Sequence, residues 1–453
     1  MALIAIQVGL AVLSPEFKYG SPLEERPIVG MVFTVSVACV VFLLAVWTVR
    51  FVRPSRAVLA WVILAGLLMR LPMMVSTPML EDDYFRYLWD GALTANGLNP
   101  YAHAPAEVEL DSAKLDLRLQ ELAKDGHEIL SRVNHPELRT IYPPVAQAAF
   151  ALAYFIKPWS LIAWRVVIFM FDGATLFLLL LALRDVEASP LWGIVYWWNP
   201  LILKEIFNSA HMDVLVLPLV LGAIILGSRE KYLWSSVVLA LAIGVKLWPI
   251  ILLPIVFRSL LRQPRRLILP LAVVGLVCAA MFIPVYLAKL DSSSGFVAYG
   301  KEWEMNDALY MVLFWAVKFL LKLCSVGVGA AHEITRAAVG LLLLAWIIWL
   351  IRLEATGSRQ LWEQVLLITA GLFLLSPTQF PWYYSWVIPL IAVRPRASLL
   401  LLNGLLPLYY LRFHFDARNT VYLFDYGIVW LEFVPVWILL LWEFHSGTER
   451  SIS

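Results

Sequence analysis

Residues 28–49 contain no charged side chain, and apolar runs of similar character recur along the rest of the chain. A run of about 20 apolar residues is what an α-helix needs to cross a bilayer. Repeated many times, that pattern leaves few options for the fold, because in lipid only helices and closed barrels satisfy their own backbone. Hydrophobic residues make up 61% of the 453, against roughly 45–50% in soluble chains. The solvent for most of this protein is therefore lipid. Net charge is only +2, and no basic cluster with interleaved aromatics points to nucleic acid as a partner. The 20 Trp and 17 Tyr suit aromatic belts at the two membrane interfaces.

The apolar runs predict spans near 28–49, 57–75, 142–157, 160–183, 190–207, 211–227, 232–257, 267–288, 308–323, 333–351, 361–376, 382–393, 398–411 and 428–443. Several are short, as broken helices are where protein lines a cavity. Met1 to Leu13 reads as a short first membrane segment, since it lacks a basic n-region and an A-x-A site. Arg50, Arg53 and Arg56 form a basic link, which places that link in the cytoplasm and Thr77–Ile141 outside. The cluster Arg258, Arg262, Arg265 and Arg266 and the pair Arg394 and Arg396 read as cytoplasmic too. One crossing per span leaves Arg184, Arg229 and Lys231 outside. A second count makes 142–157 and 232–257 re-entrant and moves the Glu205–Asp213 turn outside. Both counts are open from the sequence.

The polar stretch 77–141 is long for a loop, and such loops usually carry function. Within it, Ala106–Val133 has leucines at helical spacing and reads as an amphipathic helix lying on the membrane. The stretch opens with Glu81-Asp82-Asp83-Tyr84-Phe85-Arg86-Tyr87-Leu88-Trp89-Asp90-Gly91. On a helix, Asp83, Arg86, Tyr87 and Asp90 share one face. Crowded acids raise one another's pKa, which suits a general base; acids at a helix start also serve as caps. Lys246 lies inside an apolar run, where an ionisable residue costs about 2.5–3.5 kcal/mol and marks a functional site or a snorkelling helix end. His211 and Asp213 form an H-x-D pair with no third ligand nearby, so a cap is the simpler reading than a metal pair. Cys39, Cys278 and Cys324 form no disulfide or zinc pattern.

Further motifs follow in order. They are Gly97-Leu98-Asn99-Pro100-Tyr101, Asn134-His135-Pro136, Thr140-Ile141-Tyr142-Pro143-Pro144, Trp197-Trp198-Asn199-Pro200-Leu201 with Glu205, and Ser209-Ala210-His211-Met212-Asp213. Lys246-Leu247-Trp248-Pro249, Trp303-Glu304-Met305-Asn306 and Ser376-Pro377-Thr378-Gln379-Phe380-Pro381-Trp382-Tyr383 complete the series. The linked series, over roughly residues 57–390, resembles the polyprenol-phosphate-dependent glycosyltransferases of the GT-C superfamily, and most closely the family-87-like bacterial mannosyltransferases. Two positions depart from the pattern: Ala210 stands where glycine is usual, and Phe380 where a histidine is expected.

The resemblance implies an all-α, polytopic membrane fold of GT-C type. Its expected content is about 12–14 transmembrane helices, each of about 20 residues when straight, and a large first outer loop carrying juxtamembrane helices. It divides the chain into N-terminal membrane segments (1–56), a catalytic module (57–307) and C-terminal helices (308–453). It implies an inverting transferase of the cell membrane, of the bacterial inner-membrane kind, working on the outer or periplasmic face. A hexose, mannose foremost, would pass from a polyprenyl-phosphate sugar to a glycan, glycolipid or protein hydroxyl. Asp83 would be the base and Asp82 its alternate. Lys246, Arg86 and Arg412 would meet the donor phosphate, although Arg86 could instead pair with Asp82 or Asp90, and Arg412 could anchor an interface. Asp90, Tyr87, Asn99, Tyr101, His135, Tyr142, Glu205, His211, Asp213, Trp303, Asn306, Trp382 and Tyr383 would bind substrate. No cofactor or metal site is implied, the lipid-linked sugar being itself a substrate, and dependence on a divalent ion is left open. A lipid or glycan transporter or flippase without transferase activity is the alternative, but the inverted repeats common in transporters are not evident. A non-catalytic assembly subunit would tolerate loss of Asp83.

Overall fold

The computed structural model describes residues 1–110, 115–353 and 357–446. The described residues are helices joined by turns, with two isolated bridges, Arg139 to Ser294 and Met305 to Thr378, and no strand. Among the described residues six helices are long and apolar enough to cross a membrane: Ile28–Val49, Arg56–Val75, Leu161–Asp185, Pro264–Met281, Val328–Arg352 and Phe424–His445. A seventh crossing is formed if Pro200–Asn208 and Met212–Ser228, bent by 106°, are one span. The expected spans 308–323 and 361–376 are single helices, Ala308–Leu323 and Ser358–Leu375, while others are broken into short pieces such as Trp248–Leu252 with Leu253–Val256, and Pro381–Trp386 with Ile388–Val393. Prolines 249, 254, 381 and 389 account for these breaks, since each removes a backbone donor.

The chain folds as two compact units. The first comprises residues 1–77, 179–204 and 304–453. Its buried Arg70, inside the Arg56–Val75 helix, donates to the Trp197 carbonyl at 2.7 Å and lies over the Trp197 ring. That arginine is satisfied by protein, as a cation at membrane depth must be.

The second unit comprises residues 78–178 and 205–303. The 106–133 stretch is not one helix: Pro105–Leu110, Leu117–Asp125 and His127–Leu130 replace it, and residues 111–114 lie outside the described residues. Asp116 caps the second piece through the Arg118 amide, and Gly126 ends it. The buried apolar side chains of the stretch turn inward, while Leu110 and Leu117 stay exposed. Leu119, Leu122, Leu130 and Val133 pack on Phe85, Trp89 and Leu93 of the helix Tyr84–Ala95, so the loop has a core of its own. Each such side chain, fully buried, contributes about 1.5–3 kcal/mol.

The helix Pro144–Ile156 packs along Tyr84–Ala95. Beyond its far end, Trp159 donates to Asp125 at 2.6 Å, so the polypeptide leaves the polar loop and returns to it. The helix Tyr232–Val245 ends at Lys246, which meets Asp213, and the chain then folds back through 248–256. His211 approaches Asp83 to 3.7 Å, which puts the Glu205–Asp213 turn on the same side as the 77–141 loop. These three observations agree with the count in which 142–157 and 232–257 are re-entrant.

Candidate active site

Asp83 sits at the N-terminal cap of Tyr84–Ala95, yet its side chain makes no capping bond. Its oxygens face the rest of the loop instead. The Asn134 amide donates 2.7 Å to Asp83 Oδ1 and 3.2 Å to Asp82 Oδ1, bridging the two acids. Tyr87, one turn on, donates a long 3.4 Å bond to Asp83 Oδ2. Burial, and next the charge of Asp83, push the Asp82 carboxyl up to about 6.

The turn before this helix is tied down by a bond from the Met79 amide to Asn208 Oδ1 at 3.0 Å. That bond draws in the segment 205–213. Ala210 adopts φ +61, a left-handed conformation that costs an L-residue about 1–2 kcal/mol and explains why glycine suits the position. His211 is fully buried, with Nδ1 3.7 Å from Asp83 Oδ2 and Nε2 3.7 Å from Glu205 Oε2. Asp213 accepts from Lys246 Nζ at 2.5 Å. Lys246 is thus an ion-pair partner in this cluster rather than a snorkelling helix end. His211 stands at the N-terminal cap of Met212–Leu215 and makes no capping bond through its side chain.

Arg86 does not pair with a loop acid by hydrogen bond. Its guanidinium donates to the carbonyls of Asn134, His135 and Leu138 at 2.9, 2.8 and 3.1 Å. The fork thereby fixes the segment that presents Asn134. Behind it, buried Asp90 accepts from Gln147 at 3.2 Å, and Gln147 also reaches Thr140 and the Tyr142 carbonyl. Burial raises the Asp90 carboxyl, and the nearby Arg86 charge opposes that shift.

The remaining predicted residues of this unit brace the loop. Asn99 accepts from the Tyr101 amide at 3.0 Å and donates to the Pro284 carbonyl at 3.0 Å. The Tyr101 hydroxyl donates to the Tyr142 carbonyl at 2.7 Å. Tyr142 meets Tyr87 edge-on at 5.0 Å, and His135, at φ +46, meets Trp303 edge-on at 4.9 Å. Arg412, Asn306, Trp382 and Tyr383 belong to the other unit. There Arg412 lies near Asp425, and Phe380 stacks on Trp382 at 4.4 Å.

Sequence reasoning overlooked Asn134 and Gln147 as site residues. It also missed Arg139, which donates to the Tyr101, Ala288 and Lys289 carbonyls and to Asp291. Asn134 opens a recognised motif and Arg139 directly precedes another, which was the available signal. Among the described residues no three His, Cys, Asp or Glu side chains are grouped as a metal site.

The ionisable groups of this unit gather at the ends of Tyr84–Ala95 and Tyr232–Val245 and at the bend between Pro200–Asn208 and Met212–Ser228, beside a structured polar loop. With the membrane-capable helices, that arrangement defines a polytopic membrane protein with a buried polar site. The model of the alpha-(1->6)-mannopyranosyltransferase N-terminal domain family matches residues 1–262, more than half of the chain, and the protein belongs to that family. The match bears out the resemblance drawn from the motifs and includes Asp82 through Lys246. The chain is 25% identical over 362 residues to alpha-(1->6)-mannopyranosyltransferase A of Mycobacterium tuberculosis (strain ATCC 25618 / H37Rv), covering 72% of this chain and 63% of that relative. It therefore spans a little under two thirds of the relative's length. No solved structure matches it.

Proposed function

We propose that this protein is an inverting mannosyltransferase of the cell membrane, drawing mannose from a polyprenyl-phosphate carrier and delivering it to a glycan hydroxyl on the non-cytoplasmic face. The observation that carries the reading is Asp83: a carboxylate at a helix start that does not cap its helix and is held by Asn134 instead. Family membership supports mannose as the sugar.

In this mechanism the acceptor O–H gives its proton to the Asp83 carboxylate as its oxygen bonds to the anomeric carbon. The bond from that carbon to the phosphate oxygen breaks, and polyprenyl phosphate leaves with the electron pair. Attack opposite the leaving group inverts the centre. Lys246, held by Asp213, supplies the positive charge for the departing phosphate. Asn134 and Arg86 position the base, the first by hydrogen bond and the second by fixing the loop that carries Asn134. Arg412, in the other unit, enters no step. A positioned base contributes about 10²–10⁴ in rate.

Transfer from polyprenyl-phosphate mannose to a synthetic α-mannoside, followed in detergent or vesicles, tests this. Asp83→Asn should lower kcat at least about 100-fold. Turnover equal to the wild type's, or none by the wild type with any polyprenyl-phosphate sugar, rejects the mechanism.

A further inference from the structure

The helix Tyr232–Val245 has Lys246 and the acid cluster at one end and a group of cations at the other, about 21 Å away at 1.5 Å per residue. Two turns supply those cations. Arg229 and Lys231 lie just before the helix, and Arg258, Arg262, Arg265 and Arg266 lie where the chain returns and enters Pro264–Met281. The hydroxyls of Tyr232 and Ser259 meet at 2.7 Å, and the two helices pack along each other, so one face gathers both turns. Residues 229–231 and 258–266 hold six cations and one acid, Glu230. All six cations are exposed except Arg258, which is half-buried.

Beside the charges the surface is apolar. Leu233 and Trp234, within a turn of Lys231, are exposed, Trp234 to 67%. Ile268 and Leu269, about one turn beyond Arg265, are exposed too, Ile268 to 65%. Only 11% of the Pro264–Met281 span is buried inside the protein, so acyl chains cover its sides. A band of cations bordering a band of exposed aliphatic and indole side chains matches a phospholipid, phosphate outermost and chains beneath.

Orientation in the membrane does not account for this face by itself. A positive-inside signal acts on each loop as the chain inserts, and it needs no meeting of distant loops in space. Here folding brings the two turns together through Tyr232 and Ser259. Five of the six cations are arginine, whose planar fork binds phosphate oxygens in pairs. Like charges crowded on one face also repel, a cost that a bound anion removes.

We propose that this face binds an anionic glycerophospholipid of the leaflet it borders, with the phosphate held by the arginines and the chains lying against the exposed apolar side chains of the two helices. The bound lipid pins both turns of the hairpin that carries Lys246 at its far end. The site stands whatever reaction the acid cluster performs.

Purified full-length protein in neutral detergent, titrated with dioleoyl phosphatidylglycerol or dioleoyl phosphatidylcholine, provides the test. Native mass spectrometry counts bound lipid, and Tm is followed in parallel. The wild type should retain phosphatidylglycerol at least about tenfold more tightly than phosphatidylcholine and gain Tm with it. The triple variant Arg262→Gln, Arg265→Gln, Arg266→Gln should lose that preference. Arg50→Gln, Arg53→Gln, Arg56→Gln removes the same charge from another basic link and should keep the preference within twofold. Circular dichroism identifies a variant that fails to fold, in which case Arg262→Gln and Lys231→Gln singly decide in its place. Equal retention of the two lipids by the wild type overturns the site. So does an equal loss in both triple variants, which marks diffuse charge attraction, or equally tight binding of glycerol 3-phosphate, which marks a soluble phosphate ligand.

Discussion

Asp82 and Asp83 share one amide, that of Asn134, and differ in what surrounds them. With its carboxyl raised to about 6, Asp82 ionises just below neutral pH. Above that point its negative charge lies beside the acceptor hydroxyl of the proposed reaction and favours loss of that proton. The transfer rate should therefore rise as pH passes about 6, and Asp82→Asn should abolish that limb while retaining activity. A pH–rate profile of both proteins checks this. The same shift carries a stability cost. The unfolded chain loses this proton near 3.9 and the native state near 6, so stability falls across that interval and is flat above it. Thermal unfolding should show Asp82→Asn gaining on the wild type at pH 7 relative to pH 4. From the sequence, Asp83 had two readings, helix cap and base. Spacing along one helix could not separate them, because the deciding partners Asn134 and His211 are far away in the chain.

The helix Tyr84–Ala95 holds its acids in place because it lies close against Pro144–Ile156. Gly91 is the contact point: a Cβ there would stand 2.5 Å from the Phe150 carbonyl oxygen. Inside a solvent-facing helix, glycine to alanine gains about 1 kcal/mol. Here Gly91→Ala should instead lose about 1–3 kcal/mol, as overpacking does, with a lower Tm in detergent. Activity should fall with it, since Asp83 rides on the displaced helix. Helical spacing of the leucines in 106–133 was legible, but their destination was not. Periodicity reports that a face is apolar, and both a membrane surface and the loop's own Phe85 and Trp89 satisfy it.

The whole molecule sets the side on which this chemistry occurs. The Pro264–Met281 helix has 18 residues and is about 27 Å long at 1.5 Å per residue. Arg265 and Arg266 lie in its first turn, while the chain beyond its other end reaches Asp291, which Arg139 of the polar loop binds at 2.7 Å. The basic cluster and the acid-bearing loop thus lie at opposite ends of one span. With Cys39, Cys278 and Cys324 replaced, Glu128→Cys should react with a membrane-impermeant maleimide in intact cells. Arg262→Cys should react only after permeabilisation. The reverse pattern would put Asp83 in the cytosol and reject the proposed reaction.

Composition and the length of the apolar runs by themselves determined that lipid is the solvent and helices the structure. Hydrophobic transfer is additive along a chain and needs no knowledge of neighbours. The 3.6-residue period likewise put Asp83, Arg86, Tyr87 and Asp90 on one face. Which cation serves an acid and which holds a loop was decided only by tertiary structure. Lys246 found Asp213, while Arg86 found three carbonyls. Ion pairs and hydrogen bonds act over a few ångströms, and in this fold their partners come from segments that the sequence keeps far apart.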